Sequence, residues 1–386
     1  MNRRNVLKLL SPLGQPALAI GLALVVGALA ILVSGENPLV VYAAMLRGAF
    51  GGKYYLLTTL TRATPIIICG LGAAIAWSSN YMGIGGEGQM IVGGFTTAIV
   101  ALYAPGPLWV RFALAVIAAM AAGGLLSVLS AWLLDKFRMS LAITTLMFNY
   151  TAHFVTMHYV ANVFQDTTGD AKLTQTLRLD EGLRLGRLVE GYSLHTGFLF
   201  ALALVAGIWF LMNRTAFGYE SRMSGFNKNF CDYGGVSSRK VMYGMLLLSG
   251  AISALAGTGE VLGVQYRYVH NSYVSASYAW VGLNAALISG YNPLGILFTS
   301  VILAGIQTGG AAIARSTSVP LEISSIIQGC ITLFISARIV ISLAGRKRGG
   351  AGGESGLAAA AEAAGDPTAL GTGQGAVPEA GGGIQP

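Results

Sequence analysis

The chain has 386 residues, 54% of them hydrophobic and only 10% charged, with a mean hydropathy of +0.63. A soluble domain is about a quarter charged, so this balance excludes an ordinary globular protein and predicts an all-α polytopic membrane protein whose outer face meets the lipid bilayer. The net charge of +8 is not gathered into a basic patch with interleaved aromatics, which excludes nucleic acid as a partner; the basic residues are read as markers of the cytoplasmic side.

Arg3, Arg4 and Lys8 precede the first apolar window, at 17–34. That window runs past the cleavage-like "ALA" at 28–30 to Val33, which favours a retained span over a signal peptide. Further windows of membrane-crossing length fall near 55–77, 88–104, 112–134, 140–160, 197–212, 241–263, 293–313 and 321–342. Pro65, in "TRATP", removes a helix hydrogen bond and predicts a break in the second window. The loop 162–196 mixes Lys172, Arg178, Arg184 and Arg187 with Asp166, Asp170, Asp180, Glu181 and Glu190, and is expected outside. "DKFR" at 135–138, the loop 213–240 and Arg346, Lys347 and Arg348 carry the basic excess and are expected inside. Two cytoplasmic termini require an even number of crossings. The nine full windows are odd in number, so the short segment 279–290, bounded by Gly290 and Pro293, is expected to cross as a half-length or broken helix, giving about ten spans. The domain reading is therefore a cytoplasmic N-terminus at 1–16, a transmembrane domain at 17–348, and a Gly- and Ala-rich tail at 349–386 that is expected to be disordered.

Chemistry-bearing residues are few. No GxxxxGK[ST] loop occurs; "GGKY" at 51–54 lacks both spacing and hydroxyl, so the chain does not hydrolyse ATP by that route. The four histidines form no HExxH, and Cys69, Cys231 and Cys330 form no CxxC; no disulfide, metal or cofactor is expected. Arg62, Glu260, Glu322 and Arg338 lie inside apolar windows, where charge is costly, so each is expected to face protein or a water-filled path, with Arg338 close enough to its window's end to snorkel. Within "NYMGIGGEGQM" at 80–90 the glycines allow a helix break and close packing. Glu87 and Gln89 then supply hydrogen-bonding groups there; Glu87 either accepts amides at the start of the following helix or lines the solute path. Thr145, Asn149 and His153 fall four apart on one helical stripe, with Thr144 and Tyr150 beside it. That stripe serves either interhelical hydrogen bonding or a polar wall for a hydroxylated solute. The loop 213–240 is longer than a connector needs, and Gly218, Gly225, Gly234 and Gly235 leave room for short helices, which makes it the candidate partner site.

Four stretches carry a resemblance: "GIGGEGQMIVGG", "TTLMFNY", "FGYESRMSGFNKNF" and "LSGAISALAGTGEVLG". Together, over about residues 60–340, they resemble the permease subunits of ATP-binding-cassette (ABC) importers for nucleosides and simple sugars, in a larger group with ribose and branched-chain amino-acid permeases. The resemblance implies a multi-pass protein of the bacterial inner membrane that moves a small-molecule solute by alternating access. It implies a second permease subunit, a cytoplasmic ABC ATPase and a solute-binding protein as partners. It also maps an ATPase-coupling pattern onto Gly218, Arg222, Gly225, Asn227 and Gly235, departing at Ser221, Cys231 and Asp232. An ion-coupled secondary carrier, for which Glu87 and Glu260 are the available coupling-ion candidates, and a branched-chain amino-acid permease are the alternatives.

Overall fold

The computed structural model describes residues 36–167 and 173–316, with 25–29, 31, 32 and Gly329 besides. Among these residues the chain is helical and contains no strand. In chain order the helices are α1 (Pro38–Phe50), α2 (Lys53–Ser78), α3 (Gly86–Tyr103), α4 (Leu108–Phe137), α5 (Leu141–Asn162), α6 (Gly197–Arg214), α7 (Ala216–Phe226), α8 (Lys228–Tyr233), α9 (Ser238–Glu260), α10 (Ser272–Ala276), α11 (Tyr278–Ile288) and α12 (Pro293–Ser316). Among the described residues, five elements are long and apolar enough to cross a membrane: α2, α4, α6, α12, and α9 with the π-turn Val261–Gln265 that extends it. Helices α3 and α5 are 18 and 22 residues long but less apolar, because they carry Glu87, Gln89, Asn149, His153 and a run of threonines.

The expected break at Pro65 is absent, one helix is unforeseen, and the short segment is half-length as expected. Helix α2 runs unbroken through Pro65; Thr61 and Thr64 hydroxyls bond the Leu57 and Leu60 carbonyls in the turns around it, and packed neighbours hold the helix straight through. Helix α1, 13 residues after an Asn37 cap, has no counterpart among the apolar windows, because it is too short and carries Arg47. The segment 279–290 is the 11-residue α11, about 17 Å long and so roughly half a bilayer. The expected window at 321–342 with Glu322, Cys330 and Arg338, the Arg346–Arg348 run, the tail 349–386, the N-terminus 1–16 and most of the window 17–34 lie outside the described residues.

Helices α2 and α9 form the centre. Ile66, Ile67, Leu71 and Ile75 of α2 and Met245 of α9 are fully buried, whereas α4 and α6 turn Ile117, Leu125, Leu199 and Phe210 outward. Apolar side chains gain little by leaving lipid for protein, so close backbone approach carries the packing. Gly123 of α4 sits against the Gly250 backbone of α9 with no room for a methyl on either. The chain between α5 and α6 is a folded cap. Its Thr176, Leu179 and Leu185 amides donate to the carbonyls of Tyr268, Tyr266 and Leu262 at 3.0, 2.8 and 2.8 Å, laying it over the π-turn. Arg111 at the start of α4 pins it through Asp180 at 3.0 Å.

Candidate functional site

The chain leaves helical geometry between α2 and α3. Asn80 is left-handed (φ 61°), and residues 81–85 form no helix before Gly86 opens α3. Non-helical backbone packed inside the protein needs partners from it, and the polar stripe of α5 supplies them. The Ile84 amide donates to Thr145 Oγ1 at 2.9 Å, Asn149 Nδ2 donates to the Ile84 carbonyl at 2.8 Å, and the Gly88 amide donates to Asn149 Oδ1 at 2.9 Å. The indole of Trp77 adds a bond to the Gly83 carbonyl at 2.8 Å. Residue 88 has to be glycine for this clamp: a Cβ there would stand 2.8 Å from Asn149 Oδ1 and 2.9 Å from its Cα. The stripe is therefore an interhelical clamp at Thr145 and Asn149.

It is also a wall. Asn149, Tyr150 and His153 line a cleft of about 290 Å³ together with Glu87, Asn271, Ser277 and Trp280, close to the lower end of about 300–1,000 Å³ usual for small-molecule sites. Glu87 does not cap α3. Its Oε2 accepts the indole N–H of Trp280 at 3.0 Å, tying the first turn of α3 to α11, where a carboxylate also suits the helix dipole. Gln89 and Thr145, both buried, border a smaller space of about 30 Å³ that Glu87 and Trp280 also line. The six path candidates thus line two neighbouring spaces that share Glu87 at the start of α3. His153 also meets the ring of His270 at a tilt, centroids 4.4 Å apart. His270 Nδ1 is buried without a partner, and burial, then the neighbouring His153, pushes its pKa down. Sequence reading missed Asn271, Ser277 and Trp280. They fall six and three residues apart, and nothing in the sequence ties them to Glu87. Arg62 and Glu260 do face protein: Glu260, 3% exposed, ends α9 where the π-turn begins, within the electrostatic reach of Arg62.

At the opposite end of α6, the loop 213–240 folds as α7 and α8. Asn227 caps α8 by accepting the Phe230 amide at 3.1 Å, and Arg222 reaches Asn213 Oδ1 at 3.4 Å, so both are engaged within the chain. Asp232 accepts both the amide and hydroxyl of Ser238 at 2.9 and 3.0 Å, tying α8 to α9, and Cys231 is buried beneath it. Gly235 turns the chain at φ 83°. Gly218 packs onto the Leu211 and Met212 carbonyls, and Gly225 onto the end of α2. Phe226, Phe230 and Tyr233 are left 84%, 63% and 93% exposed.

Residues 55–336 match the family described as the permease component of the branched-chain amino acid transport system. The chain belongs to this permease family. The permease is 34% identical over 340 residues to a guanosine ABC transporter permease of Bacillus subtilis, covering 87% of this chain and 96% of that one. A nucleoside ABC transporter permease of Lactococcus lactis is 26% identical over 335 residues, covering 85% and 92%. A glucose ABC transporter permease of Haloferax volcanii is 27% identical over 332 residues, covering 83% and 86%. The permease is thus a multi-pass membrane subunit of ABC-transporter type, and the comparison supports that reading over an ion-coupled carrier.

Proposed function

We propose that this permease imports nucleosides or simple sugars, and that solute passes the polar cleft between the α5 stripe and the Glu87–Trp280 bond. The observation that carries the proposal is the cleft itself. Carboxylate, amide, imidazole and hydroxyl groups line it beside two aromatic rings, a chemistry suited to a hydroxylated, ring-bearing solute. The names of the relatives point the same way. Transport is by alternating access, and ATP is hydrolysed by a partner ATPase. That partner docks on α7 and α8, where the exposed Phe226, Phe230 and Tyr233 offer an aromatic anchor surface. A second permease subunit completes the path, and a solute-binding protein delivers to the cap. The chain spans the bacterial inner membrane about ten times with both termini and the loop 213–240 in the cytoplasm, the cap outside and the tail from 349 to 386 as a separate segment.

The test is co-purification of the ATPase, followed by hydrolysis in vesicles with guanosine, ribose or leucine offered on the binding protein. Stimulation by nucleoside or sugar is expected; stimulation by leucine alone overturns the solute class. Impermeant thiol reagent on intact cells should label Ser193→Cys and spare Asn229→Cys, and the reverse pattern overturns the orientation.

A further inference from the structure

The coupling loop and the polar cleft lie at two ends of one short stretch of chain. Residues 78–81 are gripped by the loop. Ser79 and Ser221, both fully buried, share a hydroxyl–hydroxyl hydrogen bond. Gly225 lies so close that a Cβ there would stand 3.0 Å from the Ser78 carbonyl oxygen and 3.1 Å from Ser79 Cα. Lys228 places its ammonium 4.8 Å from the ring centre of the buried Tyr81. Residues 83–88 are gripped at the other end by Trp77, Thr145 and Asn149, and Glu87 continues the line to Trp280. Residues 79–85 therefore have a fixed partner at each end and no helix of their own.

We propose that residues 79–85 act as a strap that carries movement of α7 and α8 to the Glu87–Trp280 bond, with Ser79, Ser221 and Gly225 as its positioning residues. The inference rests on the ATPase docking at α7 and α8 proposed above. A loop displaced by ATPase closure has two ways into the membrane. One is covalent, through α6 and α9. The other is lateral, through Ser79, and it reaches Glu87 within eight residues. Packed hydrogen-bonded contacts have discrete arrangements and do not stretch, so a shift of the loop either breaks the Ser79–Ser221 contact or moves the strap against Asn149. Moving the strap shifts the first turn of α3, and with it the carboxylate that holds Trp280 across the cleft. The cleft wall is thereby set by the nucleotide state of a partner that never touches it.

The test uses the complete complex in vesicles. Met82, half-exposed in the strap, is replaced by Cys, and its modification rate is read by mass spectrometry with and without a non-hydrolysable ATP analogue. The Ser79→Ala, Ser221→Ala pair removes both hydroxyls and leaves no orphan behind, so the fold is retained; Gly225→Ala is the second, independent variant. The nucleotide-dependent change at Met82→Cys is expected to shrink about fivefold in both. Solute moved per ATP should fall, while crosslinking of Tyr233→Cys to the ATPase continues. If the change at Met82→Cys and the transport stoichiometry survive in both variants, movement travels through α6 and α9 and the strap is refuted. If Tyr233→Cys fails to crosslink even with the strap unaltered, the docking proposal falls and takes the strap with it.

Discussion

Replacing Asn149 by Leu is the sharpest probe of the broken helix. The side chain is 4% exposed, and its amide makes two of the three bonds by which α5 holds residues 84–88, the end of the strap and the first turn of α3. Leucine is close in volume, so packing changes little, but the Gly88 amide and the Ile84 carbonyl lose their partners where water is scarce. Each orphan costs about 1–3 kcal/mol, which sums to roughly 4 kcal/mol against the clamped geometry. At about 1.4 kcal/mol per decade this releases the strap by two to three orders of magnitude. The direct assay is hydrogen exchange of the peptide covering 82–90 in detergent or nanodiscs, with uptake measured in parallel. Exchange at Gly88 is expected to accelerate by at least about a hundredfold and uptake to fall, while the ATPase remains bound. Asn149→Asp keeps the acceptor for Gly88 and loses the donor to Ile84, so it should fall between the two. Unchanged exchange with normal uptake in Asn149→Leu would refute the clamp. Lost uptake with unchanged exchange would mean that the amide acts on solute alone.

Trp280→Phe keeps an aromatic face but frees Glu87; half-saturation for solute should rise several-fold with maximal ATPase rate little changed, and an unaltered half-saturation would exclude Trp280 from the path. Gly225→Val places a branched side chain against the Ser78 and Ser79 backbone and should abolish stimulation of hydrolysis by the loaded binding protein; normal stimulation and uptake would refute the close-contact account. The cap should weaken in acid. His195 is 1% exposed, and burial pulls its pKa down to about 4 from the usual imidazole range. The folded cap therefore binds fewer protons than the open one between about pH 6.5 and 4, so stability is full above about pH 6.5 and declines by about 3 kcal/mol as pH falls through that window. Limited proteolysis of residues 173–196 against pH should show this slope in the wild-type permease and lose it in His195→Gln; equal slopes would exclude His195 as the cause.

The long helices were legible because apolar runs of membrane length have few other uses, and the windows from 55 to 313 find helices within a few residues, five of them long and apolar enough to cross a membrane. Helix α1 was not, since 13 residues with an arginine do not meet that length rule. Pro65 misled because a helix inside a bundle can do without one hydrogen bond when its neighbours hold it. The stripe of Thr145, Asn149 and His153 was visible from spacing alone, and so was the glycine run it meets. What spacing cannot give is the pairing of the two, sixty-one residues apart for Asn149 and Gly88. Trp280 stands 193 residues from Glu87, and Ser221 stands 142 from Ser79. A tryptophan in an apolar segment and a serine in a loop carry no local mark of such partners.

The two walls of the cleft differ in how freely they can change. On the α5 side, Asn149 has committed its amide to backbone, and Gly88 opposite it admits no other residue. On the other side, Asn271 and Ser277 stand in left-handed geometry at the two ends of a five-residue helix, and the Ser277 hydroxyl bonds only its own turn, at the Val274 carbonyl 3.2 Å away. On the solute path proposed above, Val274, which has ordinary helical backbone, can be exchanged to reshape the space without touching the Asn149 clamp, whereas Asn271 and Ser277 hold positive φ. Under the function proposed above, a lineage of such permeases has one place to change its solute without disturbing the clamp, and a laboratory seeking altered solute preference starts at Val274 in place of a whole protein.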